Sequence, residues 1–373
     1  MNIKLIVRNT LMRFYKEGLV KIARNRFANN DFKTKHGKCV PLSTIEKNNI
    51  KFFWREYKNI RKHLKWYEFY KGFCKDDDSL KYYIPDDIWY SNIDTLFSDS
   101  RRANELDDKN LYDLYFYDVN KPITILRKTH GLLLDEKYNI ISLDNAVIRC
   151  VERGRIICKE ARLSEGGKGI KFFDFSLSSP NDFREYLYNH DEITIQEIVQ
   201  QHKVLNQIHA NSINTIRIMS LVFEEEVHIL SSVLRMGRDG AKVDNASSGG
   251  IVCGIKQDGR LRDYACDTKG NSWSEHPQGA KFKDIMIVGY KECCELVNKL
   301  AGRMCGVSSL VSWDFAIDEK GSPILIEANL TFGEVDFHQM CNGPILGTLT
   351  EPVLNTVFNK SHDVRNKNAV LYP

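Results

Sequence analysis

Residues 311–330 read VSWDFAIDEKGSPILIEANL, and the alternation within them decides the fold. Val311, Trp313, Phe315 and Ile317 alternate with Ser312, Asp314 and Ala316, and a second alternating run places Leu325, Glu327 and Asn329 on one face. Lys320-Gly321 is the expected turn. A two-residue turn there sets Glu319 against Ser322 and Ile317 against Ile324, and the same ladder brings Asp314 directly across from Glu327. Carboxylates at cross-strand spacing repel unless something cationic lies between them. Two hard oxygen donors, with the amide oxygen of Asn329 two residues on, suit Mg²⁺. The alternative is a solvated hairpin whose acids keep a sheet edge soluble.

Three earlier segments supply what a nucleoside triphosphate would need. Residues 106–111, LDDKNL, read as a helix start at Asp107-Asp108. Lys109 then lies in the first turn, where a cation is unfavourable against the helix dipole unless an anion is bound; a plain exposed lysine is the alternative. Residues 154–170, GRIICKEARLSEGGKGI, read as a strand carrying Lys159 that runs into Gly166, Gly167, Lys168 and Gly169. Glycines let successive N–H groups converge on an anion, and Lys168 adds a point charge, although a hairpin tip would use the same residues. Residues 193–199, ITIQEIV, read as a strand ending at a hinge, where backbone groups and an acid read adenine edges. Glu197 is the candidate acid, with Gln196 one register away.

The order Lys109, Lys159 with its glycine loop, Glu197, then Asp314, Glu327 and Asn329 resembles the ATP-grasp superfamily. The segments QQHKVLNQIHANSINTIRIMSL and VLRMGRDGAKVDNASSGGIVCGI resemble more closely its sugar-transfer-associated family, over about residues 85–350. The resemblance implies an α+β fold that holds ATP between two sheets. It implies that Lys109 and Lys159 contact the phosphates, that Glu197 and its neighbours contact adenine and ribose, and that residues 166–169 form a lid. Asp314, Glu327 and Asn329 would hold Mg²⁺, with Mn²⁺ as a substitute. Arg217, between apolar Ile216 and Ile218, faces away from the core on a strand, and its planar fork suits a γ-phosphate or acyl phosphate. Arg235 is a second cation, suited to a carboxylate substrate; surface salt bridges are the alternative for both. Asp244, Asn245, Ser247, Ser248, Gly249 and Gly250 would form part of the active-site wall. Residues after Asn329 should border the acceptor pocket, with Glu334, Asp336, His338 and Gln339 as candidates to grip an amine or sugar hydroxyls.

The implied reaction is ATP-dependent amide formation through an acyl phosphate. Its expected partners are a carboxylate-bearing sugar or polysaccharide, such as a hexuronic acid unit in capsule or O-antigen synthesis, and an amine. An ATP-grasp kinase acting on a sugar hydroxyl is one rival. A non-catalytic nucleotide-binding scaffold for glycosyltransferases is another.

At 373 residues, with 42% hydrophobic and 27% charged residues, the chain is an ordinary globular protein of two or three domains. No apolar run approaches the ~20 residues that span a bilayer. The first thirty residues lack a secretory pattern. The ten cysteines form no CxxC pair, which argues against zinc and for reduced thiols and a cytoplasmic location. Residues 1–40 carry about +8 against a whole-chain +4. Met12, Tyr15, Leu19, Ile22 and Ala23 fall at helical spacing there. Such a helix would either pack on the main body or touch an anionic inner membrane face or a glycosyltransferase. Nucleic acid is not an expected partner.

A helix is expected from Leu42 to Tyr70, capped by Ser43, with Trp54, Trp66, Tyr67 and Phe69 in the core and a sugar-stacking platform as the alternative. Short strands and turns are expected over 121–161, and a helix from Asp284 to Gly302. The expected domains are a basic helical region (1–80), a first ATP-grasp subdomain with the lid (81–190), a second subdomain with the metal site (191–360) and a tail (361–373).

Overall fold

In a computed structural model the described residues are 39–162 and 169–359, with isolated positions 14, 18 and 21. Gly166, Gly167, Lys168, the amphipathic positions Met12, Tyr15, Leu19, Ile22 and Ala23, and the tail 361–373 lie outside them.

Among the described residues the strands form two antiparallel sheets. The first has the order β2-β1-β5-β3-β4, with β1 Thr124–Thr129, β2 Leu132–Asp135, β3 Arg155–Glu160, β4 Lys171–Asp174 and β5 Ile193–Glu197. The second has the order β10-β9-β8-β7-β6-β11-β12. Its strands are β6 Thr215–Phe223, β7 Glu226–Met236, β8 Ile251–Ile255, β9 Leu261–Cys266, β10 Ser272–Trp273, β11 Leu310–Ile317 and β12 Pro323–Asn329. β5 lies at the centre of the first sheet.

The longer helices of the described residues include α1 Thr44–Trp54, α2 Leu64–Tyr70, α3 Leu143–Glu152, α4 Pro180–Asn189, α5 Tyr290–Met304, α6 Val335–Asn342 and α7 Thr350–Phe358. Ser43 and Glu46 form a reciprocal capping box on α1. The expected single helix to Tyr70 breaks after Trp54, whose carbonyl accepts the N–H groups of Tyr57 and Lys58 (both 3.0 Å), and Asn59 Oδ1 accepts from Arg61 N (3.1 Å). Helix α3 was not expected within 121–161. Ser142 caps it, and Ala146, Val147 and Cys150 bury its inner stripe against the first sheet. The helix expected from Asp284 starts at Tyr290 instead, because Gly289 turns left-handed (φ 77°) against the β11–β12 turn. A Cβ on Gly289 would stand 2.5 Å from the Gly321 carbonyl oxygen.

The second sheet is covered on both faces. Ile216 and Ile218 of β6, Leu234 and Met236 of β7, and Val311, Trp313, Phe315 and Ile317 of β11 face the core that includes α5. Met219, Leu221 and Phe223, with Val233, face a second core made with the helical layer of residues 42–97 and with α6 and α7. Strand alternation therefore places Arg217, Arg235, Ser312 and Asp314 on the helical-layer face of the sheet, at the end the layer leaves open. Trp54, Trp66, Tyr67 and Phe69 are buried in that layer.

Gln339 of α6 ties the layer to the sheet. Its amide donates to the Ile84 carbonyl (2.8 Å) and accepts the Ile84 N–H (2.8 Å), with the side chain wholly buried. Gln339→Leu leaves both backbone groups buried without partners and should destabilise the protein by about 2–6 kcal/mol, on the order of 1–3 for each orphaned group. Urea denaturation monitored by tryptophan fluorescence checks this.

Candidate functional site

The β11–β12 hairpin brings Asp314 opposite Glu327, by a different route from the expected one. The connection is longer than two residues: Asp318 Oδ1 accepts the N–H groups of Lys320 (3.0 Å) and Ser322 (2.7 Å), and Ile317 pairs with Pro323 rather than Ile324. A bulge between Asp314 and Phe315 takes up the extra residue, Ile326, and restores the Asp314–Glu327 pairing. It also separates Leu325 from Glu327: Leu325 pairs with Phe315 and joins the core on the opposite face.

A solvated hairpin is ruled out, since Asp314 is 3% exposed. The cations between the carboxylates come from the chain itself. Arg217 lies across the β6–β11 ladder from Asp314 and grips it bidentately, Nε to Oδ1 and Nη2 to Oδ2, each 2.7 Å. Arg235 Nη1 reaches the same Oδ2 at 3.1 Å, and Asn329 Nδ2 at 3.4 Å. Burial alone would push the Asp314 carboxyl up, but Arg217 and Arg235 outweigh it and hold it below the ordinary carboxylate range. Glu327 pairs with Lys109 Nζ (2.8 Å). Lys109 follows the Asp108 cap of a short 3₁₀ turn, and its N–H donates to the Ala161 carbonyl beside β3 (2.8 Å). Burial opposes its charge, yet Glu327 raises its pKa above the ordinary lysine value.

Lys159, on β3, donates to Gln196 Oε1 (3.1 Å). Burial, aided by the nearby charge of Lys109, pushes its pKa down to about 8. Glu197 ends β5, pairs with Arg153 (3.1 Å) and lines the cleft with Ile198 and Val199. Gly169 is left-handed (φ 73°), with the Glu160 side chain packed against its Cα. Asp244 accepts from Thr215 N (3.1 Å) and the Thr215 hydroxyl, and faces Arg235 at 3.7 Å.

Together these groups line a cleft of about 1540 Å³ between the sheets, with walls from β3, β4 and β5 on one side and β6, β7, β11 and β12 on the other. That volume exceeds the ~300–1,000 Å³ of a single small-ligand site. Two carboxylates and an amide oxygen are the donors Mg²⁺ or Mn²⁺ prefers, and Mg²⁺ takes its remaining ligands from substrate phosphates and water. Among the described residues no third carboxylate, histidine or thiol completes a cage, so Asp314, Glu327 and Asn329 fit a metal that arrives with a phosphate.

The segment after Asn329 departs from expectation. From Val335 it folds as α6 beneath the sheet, so of the four candidates Asp336, His338 and Gln339 are buried and Glu334 alone lines the cleft. Glu334 stands in the left-handed region (φ 58°) and is ion-paired to Arg217 Nη1. His338 is wholly buried, and burial followed by Arg217 pushes its pKa down to about 3, so it is neutral. The sequence reading missed Tyr90 and Phe332, two aromatics on the cleft wall; an aromatic two residues past the hairpin's IEANL was the signal available for Phe332.

Two antiparallel sheets closing on a cleft, with opposed acids and converging lysines and arginines on its floor and walls, make an ATP-grasp fold. The chain belongs to the sugar-transfer associated ATP-grasp family, whose model matches residues 94–355. Solved structures similar to it include a D-cycloserine synthetase (12% identity, 68% of this chain and 71% of that one, TM-score 0.40). Others are the biotin carboxylase domain of the 2-oxoglutarate carboxylase of Hydrogenobacter thermophilus (14%, 70% and 47%, 0.44) and D-alanyl-alanine synthetase A of Vibrio cholerae (12%, 66% and 64%, 0.39). The chain spans under two thirds of the latter two. No curated protein sequence matches it. Among the described residues no helix is long and apolar enough to cross a membrane.

Removing Asp314 takes from two buried guanidinium groups the carboxylate they share and leaves Arg217 with Glu334 and Arg235 with Asp244 alone. Asp314→Ala should cost about 3–5 kcal/mol. In equilibrium unfolding, Asp314→Leu combined with Arg217→Met should lose less than the two single changes together.

Proposed function

We propose that the protein is an ATP-dependent carboxylate–amine ligase that joins an amine to a uronic-acid sugar during assembly of a cell-surface polysaccharide. The observation that carries the reading is the floor of the cleft, where the Asp314–Arg217–Arg235 cluster and the Glu327–Lys109 pair lie side by side between the sheets. Family membership and a cleft large enough for a nucleotide and a second substrate support it.

Lys109 and Lys159 hold the phosphates, and residues 197–199 border the base. Asp314, Glu327 and Asn329 would hold Mg²⁺, which supplies charge neutralisation of the β- and γ-phosphates when bound. A substrate carboxylate oxygen bonds to the γ-phosphorus as the bond to the ADP oxygen breaks. The amine nitrogen then bonds to the acyl carbon, phosphate departs, and the nitrogen loses a proton. Arg217 and Arg235 bear the charge that develops on the transferred group and on the carbonyl oxygen.

ADP and phosphate should therefore appear only when a hexuronic acid and an amine are both supplied with Mg²⁺ and ATP. Glu327→Gln should lower kcat by about 100-fold or more, the scale of a lost charge-stabilising group. ADP formed with a neutral sugar and no amine would make the protein a kinase instead, and nucleotide binding without turnover would make it a scaffold.

Lys159 adds a pH signature. In the free protein it loses its proton near pH 8, while a bound triphosphate favours the charged form and raises that pKa. ATP binding should therefore take up protons at pH 8–9 and weaken as pH rises through that range. Calorimetry in buffers of different ionisation enthalpy reads the uptake, and Lys159→Met should abolish it.

A further inference from the structure

We infer that Tyr90 and Phe332 form a stacking wall for a pyranose ring at the acceptor side of the cleft. This rests on the ligase reading for its location and names the residues that would recognise the sugar. Phe332 is 47% exposed although it is large and apolar, and its ring lies 5.8 Å from that of Tyr90 at an interplanar angle of 35°. Both residues line the cleft.

The exposure is built in. Phe332 is held in the left-handed region (φ 56°), a conformation that bulky residues rarely adopt and that persists where the surroundings over-determine it. Its N–H donates to Asp94 Oδ2 (3.3 Å), a buried carboxylate that also accepts from Ser98 Oγ (3.3 Å). Gly333, next in sequence, packs so closely on Ser312 that a Cβ would run into its hydroxyl oxygen. Asp94 and Tyr90 both belong to the helical layer, so the layer presents one ring and fixes the backbone of the other.

The position selects the ligand. Phe332 follows Asn329 by three residues, whereas the base-side residues 197–199, Ile157 and Phe172 come from the first sheet and the segment leaving it. The wall thus borders the region where the second substrate must lie. A pyranose presents C–H bonds on one face, and their slightly positive hydrogens suit the negative face of an aromatic ring. Asn104 and Asp107, in the segment after Tyr90, and Glu334 add polar groups to the lining for ring hydroxyls.

The test uses the full chain with Mg²⁺ and a non-hydrolysable ATP analogue, and methyl β-D-glucuronide as probe in saturation-transfer NMR. Saturation is expected on the ring C–H protons. Phe332→Leu keeps the apolar bulk but lacks the ring, and should weaken the glucuronide about tenfold. Phe332→Tyr should stay within about twofold, Tyr90→Leu should weaken it similarly to Phe332→Leu, and affinity for the ATP analogue should hold throughout. Unchanged glucuronide affinity in Phe332→Leu, or no ring saturation in the parent, would overturn the wall. Turnover assays run in parallel separate the two ideas. Glucuronide binding that depends on Phe332 without ADP release with any amine sinks the ligase and keeps the wall. Uronate-dependent turnover with the same KM in Phe332→Leu does the reverse.

Discussion

Arg217 and Asp314 face each other across the β6–β11 ladder, both nearly inaccessible to water, and much of the molecule is arranged around that pair. A buried carboxylate needs a partner that satisfies its charge and its lone pairs, and a bidentate guanidinium with a second arginine beside it does both. Because side chains alternate along a strand, the pair fixes the registers of β6 and β11 together: a one-residue slip would drive Arg217 or Asp314 into the apolar core over α5 and expose Trp313 or Ile218. The β11–β12 bulge belongs to the same constraint, since it lets the hairpin keep its own connection and still deliver Glu327 opposite Asp314.

One face of the second sheet serves two ends. Along β6 the residues pointing to that face run from Arg217, in the cleft, through Met219 and Leu221 to Phe223, in the core beneath the helical layer. The polar part is bordered by Lys109, Asp244 and Glu334, and the apolar part by α6 and the layer. His338 and Gln339 lie where the two meet. His338 stays neutral beside Arg217, and Gln339 holds Ile84, so the charged floor rests on groups that carry no charge.

Much of the site was legible in the sequence because strand alternation and local spacing carry it. The opposition of Asp314 and Glu327 could be read from one hairpin, and the outward side of Arg217 from its apolar neighbours. The turn was read as too short, and the bulge that offsets this error depends on how β12 fits its neighbours, which no local pattern records. Helix α3 escaped notice because its stripe of Ala146, Val147 and Cys150 is short and mixed with polar residues. Asp336, His338 and Gln339 looked like an acceptor loop because they are polar, yet they are buried in a helix whose partners, Ile84 above all, lie some 250 residues away in the chain. The Tyr90–Phe332 pair is likewise a product of tertiary contact and has no signature of its own.

The helical layer carries a consequence for how such a protein can be retuned. Its α1 and α2 precede residue 94, where the family match begins, yet the layer supplies both Tyr90 and the carboxylate that pins Phe332. Tyr90 lines the cleft from this layer, which takes no part in the strand register that aligns Arg217, Asp314 and Glu327. Selection, or an engineer, can therefore reshape what the cleft admits by exchanging side chains in a separate layer, leaving the charge alignment on the sheet as a fixed chassis.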